Sequence, residues 1–135
     1  VVAATPGPDG SQTLTISEWG VQLVLPLAPE LPLVSYAGHG GSSVGFSAVD
    51  VEKLGSACGP GGNALGALLR FPLGSYAAST HGGAVEYFVA TIGAFEYVYR
   101  LAPTSCLDKP GGQPLVNRET AILREAMGLL APIGH

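Results

Sequence analysis

Charge is what this sequence has least of. Only 12% of its residues are charged and its mean hydropathy is +0.35, so neutral polar groups must cover the surface. Six Lys and Arg, spread singly against ten Asp and Glu, form no basic stripe, which excludes a surface that tracks nucleic-acid phosphates. No apolar run approaches the ~20 residues of a membrane-spanning helix. Cysteines number two, Cys58 and Cys106, and neither has a CxxC or CxxH neighbour. That excludes the usual zinc sites, and no metal or other cofactor is expected. His39 and His81 lie in Gly/Ser-rich loops, and no ligand spacing joins them to Asp50 or Glu52. Ser42, Ser43 and Ser79 lack a nucleophile-elbow setting, and no glycine cluster opens a helix as a phosphate loop does.

Glycine and proline, by contrast, are plentiful, at 20 and 11 residues. They favour short elements with many turns. A chain of 135 residues makes one ordinary domain with a single core. Residues 1–12, with Pro6-Gly7-Pro8-Asp9-Gly10-Ser11, have the composition of a linker or stalk. A segment ahead of Val1, whether a cleaved signal or an anchor, is expected.

Within residues 13–132 the pattern changes phase once. Leu14 and Ile16 are apolar at even positions, whereas Trp19, Val21, Leu23 and Leu25 are apolar at odd ones. A β-bulge or bend at Glu18-Trp19-Gly20 accounts for this, with Gly20 taking the unusual backbone angles. Under that reading Trp19 and Val21 share a face and Ile16 lies on the other. Glu18 either turns inward, with Arg70 as first candidate donor, or stays solvated.

Further on, Leu33–Ala37 and Val44–Phe46 read as short strands around a loop containing Gly38-His39. Ser47 reads as the N-cap of a helix from Ala48 to about Ala57, with Gly55 as an alternative stop. Leu65, Ala67, Leu69 and Phe71 alternate along a strand, with Arg70 pointing away from them, and Leu73–Ala84 reads as a loop. The clearest signal is Val85–Leu101, where Gly93-Ala94 fits a two-residue type II′ turn between Ile92 and Phe95. That register opposes Phe88 to Tyr99, Val89 to Val98 and Tyr87 to Arg100. Asn117 then caps a helix from Arg118 to about Leu130, with Ile122, Ala126, Leu129 and Leu130 toward the sheet and Arg118, Glu119, Arg124 and Glu125 opposite. The predicted class is therefore α+β: an antiparallel sheet with an aromatic hairpin, one short helix and a C-terminal helix packed on the sheet.

Cys58 and Cys106 leave two readings open, one disulfide or two buried free thiols; the disulfide is the leading one, as expected of a non-reducing compartment.

The Glu18-Trp19-Gly20-Val21 motif resembles one in a loosely characterised family of small surface proteins from ultrasmall, host-associated bacteria of the candidate phyla radiation (Saccharibacteria-like). Tyr36, the leucine-containing stretch Leu54 to Cys58, Ala67-Leu68-Leu69-Arg70, and Phe95-Glu96-Tyr97-Val98-Tyr99 followed by Cys106 also resemble that family. The resemblance implies a membrane-anchored, extracytoplasmic domain and no established activity. A second resemblance, to sortase-type transpeptidases, rests on His39, Cys106 and Arg118 in that order. It implies a Cys106 thiolate nucleophile, His39 as acid/base and Arg118 as oxyanion or substrate donor. Ala102-Pro103 stands where that family has its TLxTC strand.

The functional expectation is a non-enzymatic extracytoplasmic domain, on the cell surface or secreted, that binds a protein or cell-surface partner or contributes to a surface assembly. Contact with a membrane is expected only through a missing N-terminal anchor. The alternative is the cysteine transpeptidase.

Overall fold

Leu14, Ile16, Val21, Leu23 and Leu25 are all buried because they lie on one face of a single hairpin. In the computed structural model, strand β2 (Gln12–Ile16) turns through Ser17–Gly20 and returns as β3 (Val21–Leu25), pairing Ile16 with Val21 and Leu14 with Leu23. The expected bulge is thus a full chain reversal. An antiparallel return pairs even positions with odd ones, so the phase change keeps the apolar set together instead of dividing it. Trp19 N–H donates to the Ile16 carbonyl (3.1 Å) and Gly20 N–H to that of Ser17 (3.2 Å), closing the turn. Gly20 takes φ +68°, the left-handed region that glycine enters without penalty.

The structure describes residues 2–6, 11–25, 34–39, 42–55, 58–59, 64–75, 85–101 and 110–133. For residues 2–6, 34, 35, 37, 39 and 85 only the backbone is described. The strands form two antiparallel sheets. In the first, β1 (Val2–Pro6), β2, β3 and β9 (Ala131–Pro132) lie in that order. Val2–Pro6, expected as linker, therefore pairs with β2, from Val2 opposite Ile16 to Pro6 opposite Gln12. In the second sheet β4 (Val34–His39), β5 (Ser43–Ala48), β6 (Ala67–Pro72), β8 (Phe95–Leu101) and β7 (Val85–Ile92) are adjacent in that order. Gly38 and His39, expected in a loop, complete β4.

The first helix, α1, is a single turn, Val49–Glu52. Beyond it the chain makes tight turns, with Leu54 N–H donating to the Val51 carbonyl and Cys58 N–H to that of Gly55. Helix α1 thus ends at Glu52, short of both the expected end near Ala57 and the alternative stop at Gly55. Ser47 does not cap this turn: Ala48 holds the N-cap position, and the Ser47 hydroxyl donates to the Cys58 carbonyl at 2.5 Å.

Helix α2 (Gly112–Ala126) starts six residues before the expected Arg118. Pro114 lies in its first turn, where the missing N–H has no intrahelical acceptor to lose. A 3-10 turn (Met127–Leu129) continues it. Val116, Leu123, Ala126, Met127 and Leu130 join both sheets in one core, but Leu129, expected inward, is 58% exposed. Helix α2 packs on β3 and α1, and its 3-10 extension touches β3 and β7. The C-terminal segment thereby ties the sheets together.

Candidate functional site

Strands β7 and β8 join through Gly93-Ala94 with Gly93 at φ +61°, and Ile92 pairs with Phe95 as expected. The register then slips between Phe88 and Ala90. Tyr87 faces Tyr99, Phe88 faces Val98 and Glu86 faces Arg100, so the expected oppositions of Phe88 to Tyr99, Val89 to Val98 and Tyr87 to Arg100 do not occur. Nor does one aromatic face result. Tyr97 and Tyr99 are buried, whereas Phe88 is 54% exposed.

The bulge opens a groove of about 480 Å³ between β7 and the C-terminal end of α2. Glu86 to Val89 form one wall, Arg124, Glu125 and Gly128 the other, and Tyr99 and Met127 also line it. The Arg124 guanidinium lies 3.7 Å from the centre of the Tyr87 ring, within cation–π range. Glu86 pairs with Arg100, its side chain only 5% exposed. The Tyr99 hydroxyl donates to the Leu65 carbonyl, and burial, with the Tyr87 phenol adding to it, pushes the Tyr99 phenol well above its usual range. Tyr99 is therefore a fixed, neutral part of the groove.

The residues singled out in the sequence fall elsewhere. Trp19 is buried and packs on Tyr97, ring centres 5.8 Å apart, with Arg70 over its indole at 5.2 Å and over Phe95 at 4.2 Å. Arg70 points away from Ala67, Leu69 and Phe71 as expected; it shares the face of Leu68, and because β6 pairs Leu68 with Tyr99 and Arg70 with Tyr97 that face is turned toward the core. Glu18 is exposed in the turn. This cluster joins the two sheets and is architectural. Cys58 is fully buried and no described cysteine is a free thiol. Cys106, His81 and the expected loop beyond Ser75 lie outside the described residues.

Arg118 sits within α2, half exposed, and reaches Glu119 Oε2 (3.3 Å) and Asp50 Oδ2 (3.9 Å). The side chain of His39 is not described, so of the three transpeptidase residues only Arg118 has a described setting, and that setting is two carboxyls. Glu119, expected on the solvated side of the helix, is fully buried. Burial pushes its carboxyl up to about 8, Asp50 adds to the shift, and Arg118 opposes it.

Sequence reasoning missed the groove for want of the bulge. The usable signal was charge: sliding β7 by one residue places Glu86 opposite Arg100, a favourable cross-strand pair. Among the described residues no group of three or more metal-ligating side chains converges, and no helix is long and apolar enough to cross a membrane. No family model, curated protein or solved structure matches this chain.

Proposed function

We propose that this chain is a non-enzymatic, extracytoplasmic domain that binds a protein partner through the groove beside β7. The observation that carries the reading is the character of that groove. Tyr87, Phe88 and Arg124 present surface along it, over the buried Tyr99 and Met127, and aromatic residues and arginine are among the types enriched where proteins meet. Its volume suits one large inserted side chain, with Arg124 and Glu125 at the rim presenting opposite charges. That mixed rim favours a polypeptide with an apolar anchor between polar flanks over a polyanion or a polycation. The extracytoplasmic part of the proposal rests on a Cys58–Cys106 disulfide, supported by the buried, non-free Cys58 in a chain with one other cysteine.

The test is selection of a random displayed-peptide library on the immobilised domain. Enriched peptides should share an apolar anchor, shift the backbone resonances of residues 86–89 and 124–128, and bind Phe88→Lys at least tenfold more weakly. Peptides that bind Phe88→Lys as tightly as the parent would remove the groove from consideration.

A further inference from the structure

Helix α2 buries one carboxyl completely. Glu119 has no exposed surface, and the side chain it meets from α1 is another carboxylate, Asp50. Each uses one oxygen toward Arg118, at 3.3 Å for Glu119 Oε2 and 3.9 Å for Asp50 Oδ2. The remaining oxygens, Glu119 Oε1 and Asp50 Oδ1, are buried and accept no hydrogen bond from a donor among the described residues. Asp50 is 30% exposed at the side chain but Glu119 is fully buried, so two carboxylates sharing one guanidinium would leave a surplus negative charge that water screens poorly on the Glu119 side. A single proton held between them removes the surplus and satisfies both orphan oxygens, with the protonated Glu119 donating to Asp50.

Among the described residues the other charges near the pair are exposed to solvent. Strand β3, against which α2 packs, carries no titratable side chain. Helix α1 and its following turn bring Glu52 and Lys53 besides Asp50, and both are exposed. On α2 itself the neighbouring charge is Arg118, whose side chain is 56% exposed.

We propose that Asp50, Glu119 and Arg118 form a proton-dependent clasp that fastens α1 to α2 and releases as pH rises. The clasp does not rest on the β7 groove, which lies at the C-terminal end of α2. Its chemistry is that of a shared-proton carboxyl pair, in which the first ionisation is easy and the second is resisted. With the proton in place the cluster is neutral: one carboxyl, one carboxylate, one guanidinium. Once the proton leaves, two carboxylates face each other and α1 is pushed from the helix. Because α1 leads directly to Cys58 through tight turns, this release loosens the segment that positions that cysteine.

Wild type and Glu119→Gln, which keeps a donor toward Asp50 and never ionises, are compared by urea unfolding from pH 5 to 9. The ratio of their unfolding constants should rise with pH by up to about tenfold per unit until it levels off above about pH 8. Parallel stability curves would overturn the clasp. If Glu119→Gln does not fold, the wild-type Glu119 carboxyl carbon is followed by NMR. A midpoint well above the usual glutamate range supports the clasp, and an ordinary one overturns it. Asp50→Asn should lower that midpoint; an unchanged midpoint would mean that Asp50 does not hold the proton.

Discussion

Glu86 stands directly opposite Arg100, one place out of the register that an unbulged Gly93-Ala94 hairpin would impose. The pair is intermediate between surface and core, with Glu86 5% and Arg100 31% exposed at the side chain. Removing Glu86 leaves Arg100 partly buried without its partner. Glu86→Ala should therefore destabilise by about 1–3 kcal/mol, between the values for surface and buried pairs. A Glu86→Ala/Arg100→Ala cycle followed by chemical denaturation should return a coupling of the same sign. If the two changes prove additive, the ion pair does not hold the shifted register.

Among the described glycines, Gly66 is the least tolerant of a side chain. It takes φ +91°, and a Cβ there would stand 2.8 Å from the Arg100 carbonyl oxygen and 2.9 Å from the Tyr99 ring. Backbone cannot yield as a flexible side chain would, and the Gly66 carbonyl also accepts from Phe46 N–H at 2.9 Å. Gly66→Ala should cost about 2–5 kcal/mol, combining left-handed strain with overpacking. Gly20, at φ +68° but with open space around it, should lose only about 1–2 kcal/mol on Gly20→Ala. Similar melting temperatures for the two variants would contradict this ranking.

The sequence made the elements readable where one local rule governs them. The turn at Gly93-Ala94 follows from glycine's backbone freedom, and the apolar sets Leu14/Ile16 and Val21/Leu23/Leu25 follow from strand periodicity. What it left open was how those sets meet. The same one-residue phase change fits a bulge and a reversal, and only pairing across the chain decides between them. Glu119 departs from the expectation for a related reason: the expected stripe ran through Ile122, Ala126 and Leu129, whereas the earlier start of α2 brings in Val116, and Val116, Glu119, Leu123 and Ala126 share the buried face. The groove depends on a bulge at Val89 that no local propensity marks.

Trp19, the sole tryptophan, reports directly on the contact between the sheets. Arg70 covers both its indole and the Phe95 ring. A partly desolvated cation over an aromatic face contributes on the order of 1 kcal/mol. Arg70→Met retains most of the packing and removes the charge. It should lower stability by about that amount and alter the Trp19 emission, while Arg70→Lys changes both less. An emission spectrum identical in all three proteins would place Arg70 away from the indole in solution.

Ser47 joins β5 to the cysteine that follows α1. Its hydroxyl donates to the Cys58 carbonyl at 2.5 Å, and both residues are completely buried. Ser47→Ala removes this bond to a buried carbonyl, which should cost about 1–3 kcal/mol. A Cys58–Cys106 disulfide would act on the same segment by a different route, since it restrains the unfolded chain across the loop it closes. Breaking it should cost about 2–5 kcal/mol in addition to any loss at Ser47. The two effects can be separated by measuring wild type and Ser47→Ala with and without a strong reductant. Wild type should lose stability on reduction. Ser47→Ala should begin lower and lose a comparable further amount, because a missing hydrogen bond affects the folded state and a missing crosslink mainly the unfolded one. Two titratable thiols in the unreduced, unfolded protein, with no change in the urea midpoint on adding reductant, would refute the disulfide and with it the main support for an extracytoplasmic setting.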